Sequence, residues 1–220
     1  MPQDMKILIT AGPTHEPIDP VRYIGNRSSG QMGAALASAA LTAGHAVTLI
    51  LGPVAFPMPP AARRIDVQTA AEMHAAVLRE FPSHHLLIMA AAVADYRPKQ
   101  IHHDKLPRQG VLTIECEPTE DIVAAAAASK RPDQRIIGFS LESAGNLDRA
   151  REKLARKHLD LIVYNPTATM SSSTIEATLL WPDGRSEFLG VLPKQEFADI
   201  LLDRALKWFT LSKAVDTLEL

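Results

Sequence analysis

The sequence predicts an α/β fold: a mostly parallel sheet with helices on both faces, followed by an antiparallel C-terminal hairpin. Three observations point there. Short apolar runs alternate with helix-like segments over the first two-thirds of the 220 residues. Those runs are apolar at consecutive positions, as strands of a sheet covered on both faces must be. The tail then changes character, with two strand-like runs joined through Pro182-Asp183-Gly184, the composition of a tight hairpin turn. Together they describe a Rossmann-like single domain over 1–220.

Ile7-Leu8-Ile9 reads as the first buried strand, followed by a long polar loop from Thr10 to about Ser29. A helix is expected from about Gly30 to Ala43, with Ser28 or Ser29 as N-cap and Gly44 as the stop. Residues 46–51 form the next strand, and the proline-rich connector 53–60 cannot continue it. Residues 65–67 make a short strand, and Thr69 and Glu72 have capping-box spacing for a helix to about Phe81. Residues 86–89 are a third apolar run, ending in Ala90-Ala91-Ala92. Further strands are expected at 111–116, 136–139 and 161–164, with helices near 121–129 and 147–157. Residues 177–181 and 187–191 form the hairpin, and Pro193 opens a final helix through about Phe209. Residues 97–117 lack periodicity over most of their length and carry Lys99, Lys105 and Arg108, so they read as an exposed flap.

Charge narrows the function classes. Lys and Arg number 23 against 25 Asp and Glu, a formal charge of −2, with a pI near 6.4 and a mean hydropathy of −0.01. That balance gives no reason to expect nucleic acid or a membrane surface as partner, so any anion site must be local. Cys116 is the only cysteine, which excludes an intrachain disulfide and suits a reducing compartment. No apolar run approaches the roughly 20 residues that cross a bilayer, and the start has no leader-like pattern. The expected location is cytoplasmic.

In an open parallel sheet, ligands bind beyond the carboxyl ends of the strands. Four unusual segments sit there. The first runs from Thr10-Ala11-Gly12-Pro13-Thr14-His15-Glu16-Pro17 to Asn26-Arg27-Ser28-Ser29-Gly30-Gln31. Its small and hydroxyl residues at a helix start suit a phosphate, or form an ordinary cap. The second, Ala91-Ala92-Val93-Ala94-Asp95-Tyr96, lets a flat ring approach the backbone beside a carboxylate, or is tight packing before a turn. The third is the flap lysine Lys105, able to close over phosphates or simply solvated. The fourth joins Gly138-Phe139 and Glu142 to Lys153 and Lys157, four apart on one helical face, with Asn165-Pro166 after the next strand.

Several chemistries are disfavoured. Gln31-Met32 stands where a P-loop needs Lys-Ser/Thr. The first loop is not Gly-x-Gly-x-x-Gly, and Leu51-Gly52 offers no acid for a dinucleotide ribose. Tyr96 and Lys99 lack the spacing of a short-chain oxidoreductase pair, and the eight histidines show no zinc pattern. No Gly-x-Ser-x-Gly elbow is present.

Read together, these segments resemble the phosphopantothenate–cysteine ligase family of coenzyme A biosynthesis. The resemblance rests on residues 9–24, Asn26-Arg27-Ser28-Ser29-Gly30, Ala91-Ala92-Val93-Ala94-Asp95-Tyr96, Thr119-Glu120-Asp121-Ile122, Gly138-Phe139, and Lys153 with Lys157-x-Leu159-Asp160. It implies that 4′-phosphopantothenate and L-cysteine are joined through an acyl nucleotidylate, with CTP favoured over ATP, Mg²⁺ on the phosphates, no flavin, and a homodimer. In most bacteria the ligase is fused behind a flavin-dependent decarboxylase; this chain is expected to be a stand-alone form. The resemblance makes Asn26 and Lys105 the catalytic residues. It assigns the nucleotide to Gly12, Ser28, Ser29, Gly30, Ala91, Ala92, Asp95, Thr119, Glu120, Asp121, Ile122, Phe139, Lys153 and Lys157. The chain departs from the family at Gln31, where a lysine is common, at Pro107 in the flap, and at Ser140-Leu141. An NAD(P)-dependent oxidoreductase and a non-catalytic nucleotide-binding protein are the competing readings.

Overall fold

The computed structural model describes residues 5–142, 146–167 and 172–216. The elements in chain order are β1 (Lys6–Ala11), β2 (His15–Pro17), β3 (Tyr23–Gly25), α1 (Gln31–Thr42), β4 (Ala46–Leu51), β5 (Arg63–Asp66) and α2 (Ala70–Glu80). Then follow β6 (Leu86–Met89), β7 (Tyr96–Pro98), β8 (Cys116–Pro118), α3 (Ile122–Ala128), β9 (Arg135–Glu142) and α4 (Leu147–Arg156). The chain continues through β10 (Leu161–Pro166), β11 (Thr174–Leu180), β12 (Ser186–Pro193) and α5 (Lys194–Asp216).

Eight strands form one sheet in the order β12-β11-β10-β9-β6-β1-β4-β5. The six from β10 to β5 pair in parallel, and β11 and β12 join antiparallel, as the apolar runs and the tail hairpin predict. From β1 the chain builds outward through β4 and β5, then crosses to β6, β9 and β10 on the other side. The reversal leaves a crevice beyond the carboxyl ends of β1 and β6.

Two cores cover the sheet. On one face Leu36 and Ala40 of α1 pack with Phe197, Leu201 and Ala205 of α5 over Ile7, Ile9 and Leu49. On the other, Met73 and Val77 of α2, Ile122 of α3 and Leu154 of α4 pack over Leu8, Leu87 and Ile136. Every residue of β6 is buried, which is why its run alternates in nothing. No helix among the described residues is long and apolar enough to cross a membrane.

Three local expectations are corrected. The polar loop from Thr10 to Ser29 contains the hairpin β2–β3. Its strands are three residues long and carry Pro17, so no periodicity shows; the Asp19 carboxylate turns the chain by accepting from the N–H groups of Val21 (2.9 Å) and Arg22 (2.8 Å). The N-cap of α1 is Gly30, not a serine, with φ +76°. The Ser28 and Ser29 hydroxyls come only to 3.5 Å from the N–H groups of Gly30 and Gln31. Finally, residues 111–116 do not form a sheet strand, because β6 and β9 pair directly and leave no gap for one. Val111 is 93% exposed, and only Cys116–Pro118 pairs, with β7, as the stem of the flap.

Candidate active site

The loops after β1 and β6 are tied to each other at the switch point. The Ala91 N–H donates to Thr10 Oγ1 (3.2 Å), the Ala92 N–H to the Gly12 carbonyl (2.9 Å), and the Ala94 N–H to Thr14 Oγ1 (2.9 Å). Gly12 has φ +76°, and a Cβ there would come within 2.9 Å of Val54 Cγ1. This lattice also fixes Asn26. Its Nδ2 donates to the carbonyls of Ala92 (3.3 Å) and Val93 (2.8 Å). With both protons so engaged, Asn26 has its Oδ1 acceptor left to offer a ligand.

A cavity of about 700 Å³ opens beside these loops, lined from β6, β9, β10, and the starts of α1 and α5. The structure brings ten of the sequence-derived candidates to its wall: Asn26, Ser28, Ser29, Gly30, Ala91, Ala92, Asp95, Phe139, Lys153 and Lys157. Its charged lining is Arg27, Lys153, Lys157 and Lys194 against one carboxylate, Asp95. The protein as a whole is slightly negative, so this is the local concentration of positive charge that an anionic ligand requires.

The two lysines of α4 differ. Lys157 pairs with Asp121 at 2.9 Å, and Asp121 also caps α3 by accepting from the Ala124 N–H (3.1 Å). Burial pushes the Asp121 carboxyl up, but Lys157 and that N–H outweigh it and hold it below its usual value. Lys153 is half-buried and has no ion pair among the described residues; its Nζ lies 3.5 Å from the Phe139 carbonyl. Burial first, and then the like charge of Lys157, lower its pKa, against the carboxylates of Glu142, Asp95 and Asp121. Such a cation gains most from an incoming anion.

The other candidates do not line this cavity. Gly12 sits behind it. The Thr119 hydroxyl donates to the Ala94 carbonyl (2.7 Å) and its N–H to the Asp95 carbonyl (3.0 Å), so it positions Asp95. Glu120 accepts from Arg97 at 3.4 Å, Asp121 orients Lys157, and Ile122 is buried under α3. Lys105 is exposed on the flap. Among lining residues, sequence reasoning missed Lys194 and left Asn165 as amide or turn. The signal for Lys194 was its place just after Pro193 at a helix start, where the dipole disfavours a cation.

The flap is anchored through Asp19, which is 3% exposed. The Leu106 N–H donates to Asp19 Oδ2 (3.1 Å), and Arg22 Nη2 bridges from Asp19 to the Leu106 carbonyl (2.7 Å). Burial alone would raise the Asp19 pKa, but N–H donors from Val21, Leu106 and Arg22, with the Arg22 guanidinium, hold it far below the carboxylate range. A depressed carboxyl contributes fully above its unfolded pKa, near about 4, and loses that contribution only as pH falls through the folded value. Protection of the Leu106 amide, corrected for intrinsic exchange, is therefore expected to hold constant from pH 8 to about pH 5. Asp19→Asn should lower it about 10-fold in hydrogen–deuterium exchange. Equal protection in both proteins would remove Asp19 as the anchor.

A second, more open cavity of about 710 Å³ shares Gly25, Asn26, Arg27, Ser28 and Ser29 with the first, and is closed by Tyr23, Pro53, Val54 and Phe56. Asn26 thus stands in the wall between two spaces.

Over residues 2–209 the chain matches the family described as DNA/pantothenate metabolism flavoprotein C-terminal domain. It is 44% identical over 207 residues to the coenzyme A biosynthesis bifunctional protein CoaBC of Escherichia coli (strain K12), covering 90% of this chain and 51% of that protein. The chain spans about half the length of the curated relatives it matches. Among solved structures, the C-terminal domain of a CoaBC protein aligns with a TM-score of 0.83 at 36% identity, covering 94% of this chain and 97% of that one. A Cab2 mutant in complex with phosphopantothenate-cysteine shares the fold, with a TM-score of 0.77 at 18% identity over 95% of this chain and 89% of that one. The chain belongs to the DNA/pantothenate metabolism flavoprotein C-terminal domain family, the phosphopantothenate–cysteine ligase family whose motifs its sequence carries.

Proposed function

We propose that this chain joins 4′-phosphopantothenate to L-cysteine, using a nucleoside triphosphate to activate the carboxylate. The observation that carries the reading is the cationic cavity at the switch point, with Asn26 fixed at its wall by two main-chain carbonyls. In the first half-reaction a carboxylate oxygen bonds to the nucleotide α-phosphorus and pyrophosphate leaves. In the second, the cysteine amine attacks the acyl carbon, the nucleoside monophosphate departs, and the amine loses its proton. Lys153 and Lys157 are proposed to neutralise phosphate charge, which is worth most in a site that excludes water. Asn26 Oδ1 is proposed to accept from the amine N–H and aim its lone pair at the acyl carbon. Lys105 is proposed to add charge when the flap folds over the phosphates.

Mg²⁺ is proposed as a passenger of the nucleotide. Among the described residues no three His, Cys, Asp or Glu side chains group to hold a metal. Asp95 and the hydroxyls of Ser28 and Ser29 line the cavity as oxygen donors, which suits a hard ion that takes most of its ligands from phosphate and water. When bound, it would polarise the phosphoryl oxygens. CTP is proposed over ATP because the motifs follow the bacterial pattern. Neither half-reaction transfers electrons, so the chemistry requires no flavin. A homodimer is also proposed: among the described residues β3 pairs only with β2, and Val21 before it and Tyr23 within it are 61% and 54% exposed. Sedimentation equilibrium is the check.

The deciding experiment mixes the protein with Mg²⁺, 4′-phosphopantothenate, cysteine and either CTP or ATP, and follows pyrophosphate release and product mass. Release with one nucleotide that depends on 4′-phosphopantothenate supports the reading and fixes the nucleotide. Failure of both nucleotides to give an acyl nucleotidylate removes it.

A further inference from the structure

We propose that Lys194 is a further phosphate-binding residue of the cavity, holding a dianionic phosphate group at the side opposite Lys153 and Lys157. The proposal rests on the ligase reading only for the identity of the ligand. The argument begins with placement. Lys194 is the first residue of α5, whose Phe197, Ala198 and Leu201 pack in the core on the α1 face. Lys153 and Lys157 come from the other side of the sheet, on the helix whose Ala150 and Leu154 join the opposite core. All three lysines line one cavity, so its positive charge is split between its two sides.

Among the described residues no side chain answers the charge on Lys194. Its Nζ donates to the Ser172 carbonyl, a neutral acceptor, and among the described residues no carboxylate lies within ion-pairing distance. The residue is half-buried, burial lowers its pKa, and it stands at the positive pole of a long helix, where a cation is disfavoured. Two effects therefore oppose an ammonium here, burial and the helix pole, and a bound anion offsets both. The plainer alternative is a clamp: the Lys194 N–H donates to the Ser173 carbonyl (3.1 Å) while Nζ holds Ser172. A clamp needs a donor but no charge, and that difference is testable.

The reaction proposed above has two sources of such a group, the departing pyrophosphate end of the nucleotide and the phosphate ester of the acid substrate. Calorimetric titration of the unaltered protein, Lys194→Gln and Lys194→Arg with CTP, inorganic pyrophosphate and 4′-phosphopantothenate separates them. Glutamine keeps a donor for Ser172 and removes the charge. Lys194→Gln is expected to weaken at least one ligand about 10-fold or more, and Lys194→Arg to stay within about 3-fold of the unaltered protein. Loss shared by CTP and pyrophosphate assigns the polyphosphate; loss confined to 4′-phosphopantothenate assigns the ester. Unchanged affinities in a folded Lys194→Gln overturn the proposal, as does an unaltered protein that binds none of the three. Should the variant not fold, acylation of Lys194 in the unaltered protein is the second measurement, with protection by the same ligands expected and its absence overturning the idea. Charge-dependent pyrophosphate binding without any amide formation would sink the ligase reading and leave this one standing.

Discussion

Asn26→Ala is expected to separate the two half-reactions. Pyrophosphate release from CTP and 4′-phosphopantothenate should persist, while amide formation falls about 10²–10³-fold, the usual cost of one aimed hydrogen bond at a reacting centre. The reason lies in how Asn26 is held. Its Nδ2 bonds the Ala92 and Val93 carbonyls, so the amide cannot swing away and its Oδ1 keeps one position. In the proposed reaction, activation depends on charge around the phosphates, and the lysines that would supply it line the same cavity. Capture of the acyl group depends on where the amine stands. Removing the amide should therefore leave the acyl nucleotidylate waiting, visible by mass spectrometry and slowly lost to water. The two carbonyls lose a donor on an exposed loop, a stability cost of about 1 kcal/mol, too small to explain the kinetic loss by unfolding. Equal loss of both half-reactions would show instead that Asn26 merely shapes the cavity.

The large elements were legible because their cause is local. Residues 7–9, 49–51 and 86–89 are apolar at consecutive positions since both faces of their strands are covered, and Thr69 caps α2 by accepting from the Glu72 N–H (3.2 Å), as their spacing announces. What stayed hidden depends on partners far along the chain. Lys153 and Lys157 share a helical face by spacing, but which of them is neutralised was decided by Asp121, 36 residues before Lys157. The flap could be seen as irregular, yet its tether runs from Leu106 to Asp19, 87 residues away. The apolar stretch near Val111 looked like a strand because periodicity cannot report that β6 and β9 had already paired. Lys194 was read only as part of a helix start, because its neighbours in sequence say nothing about the cavity it enters. Ten of the sixteen proposed site residues line one cavity: seven follow the carboxyl end of a strand or lead into α1, Phe139 lies within β9, and Lys153 and Lys157 come from the last turn and C-cap of α4. Of the remaining six, Gly12, Thr119 and Asp121 hold members of that ten in place.

Gly33→Ala is expected to cost the fold about 3 kcal/mol, and with it the cavity. In an ordinary helix interior the change would stabilise by roughly 1 kcal/mol, since alanine loses less backbone entropy than glycine. Gly33, however, lies in the first turn of α1, where the helix crosses the end of β1. A Cβ there would stand 2.2 Å from the Ala11 Cβ and 3.2 Å from the Ala11 Cα. Backbone cannot yield to that contact as a flexible side chain would, so α1 must lift from β1. Lifting it displaces Gly30 and Ser29 from the cavity wall. For a domain of this size the melting temperature should fall by about 6–12 °C, and nucleotide affinity should fall with it. Thr42→Ala, at an exposed position near the end of the same helix, carries the propensity gain without the collision and should leave both unchanged or slightly improved. Ala11→Gly removes the nearest atom that the new methyl strikes. Combined with Gly33→Ala it should recover most of the loss, a coupling that independent effects cannot produce. If the double variant is no better than the sum of its parts, close packing of α1 on β1 is not what shapes the anion site.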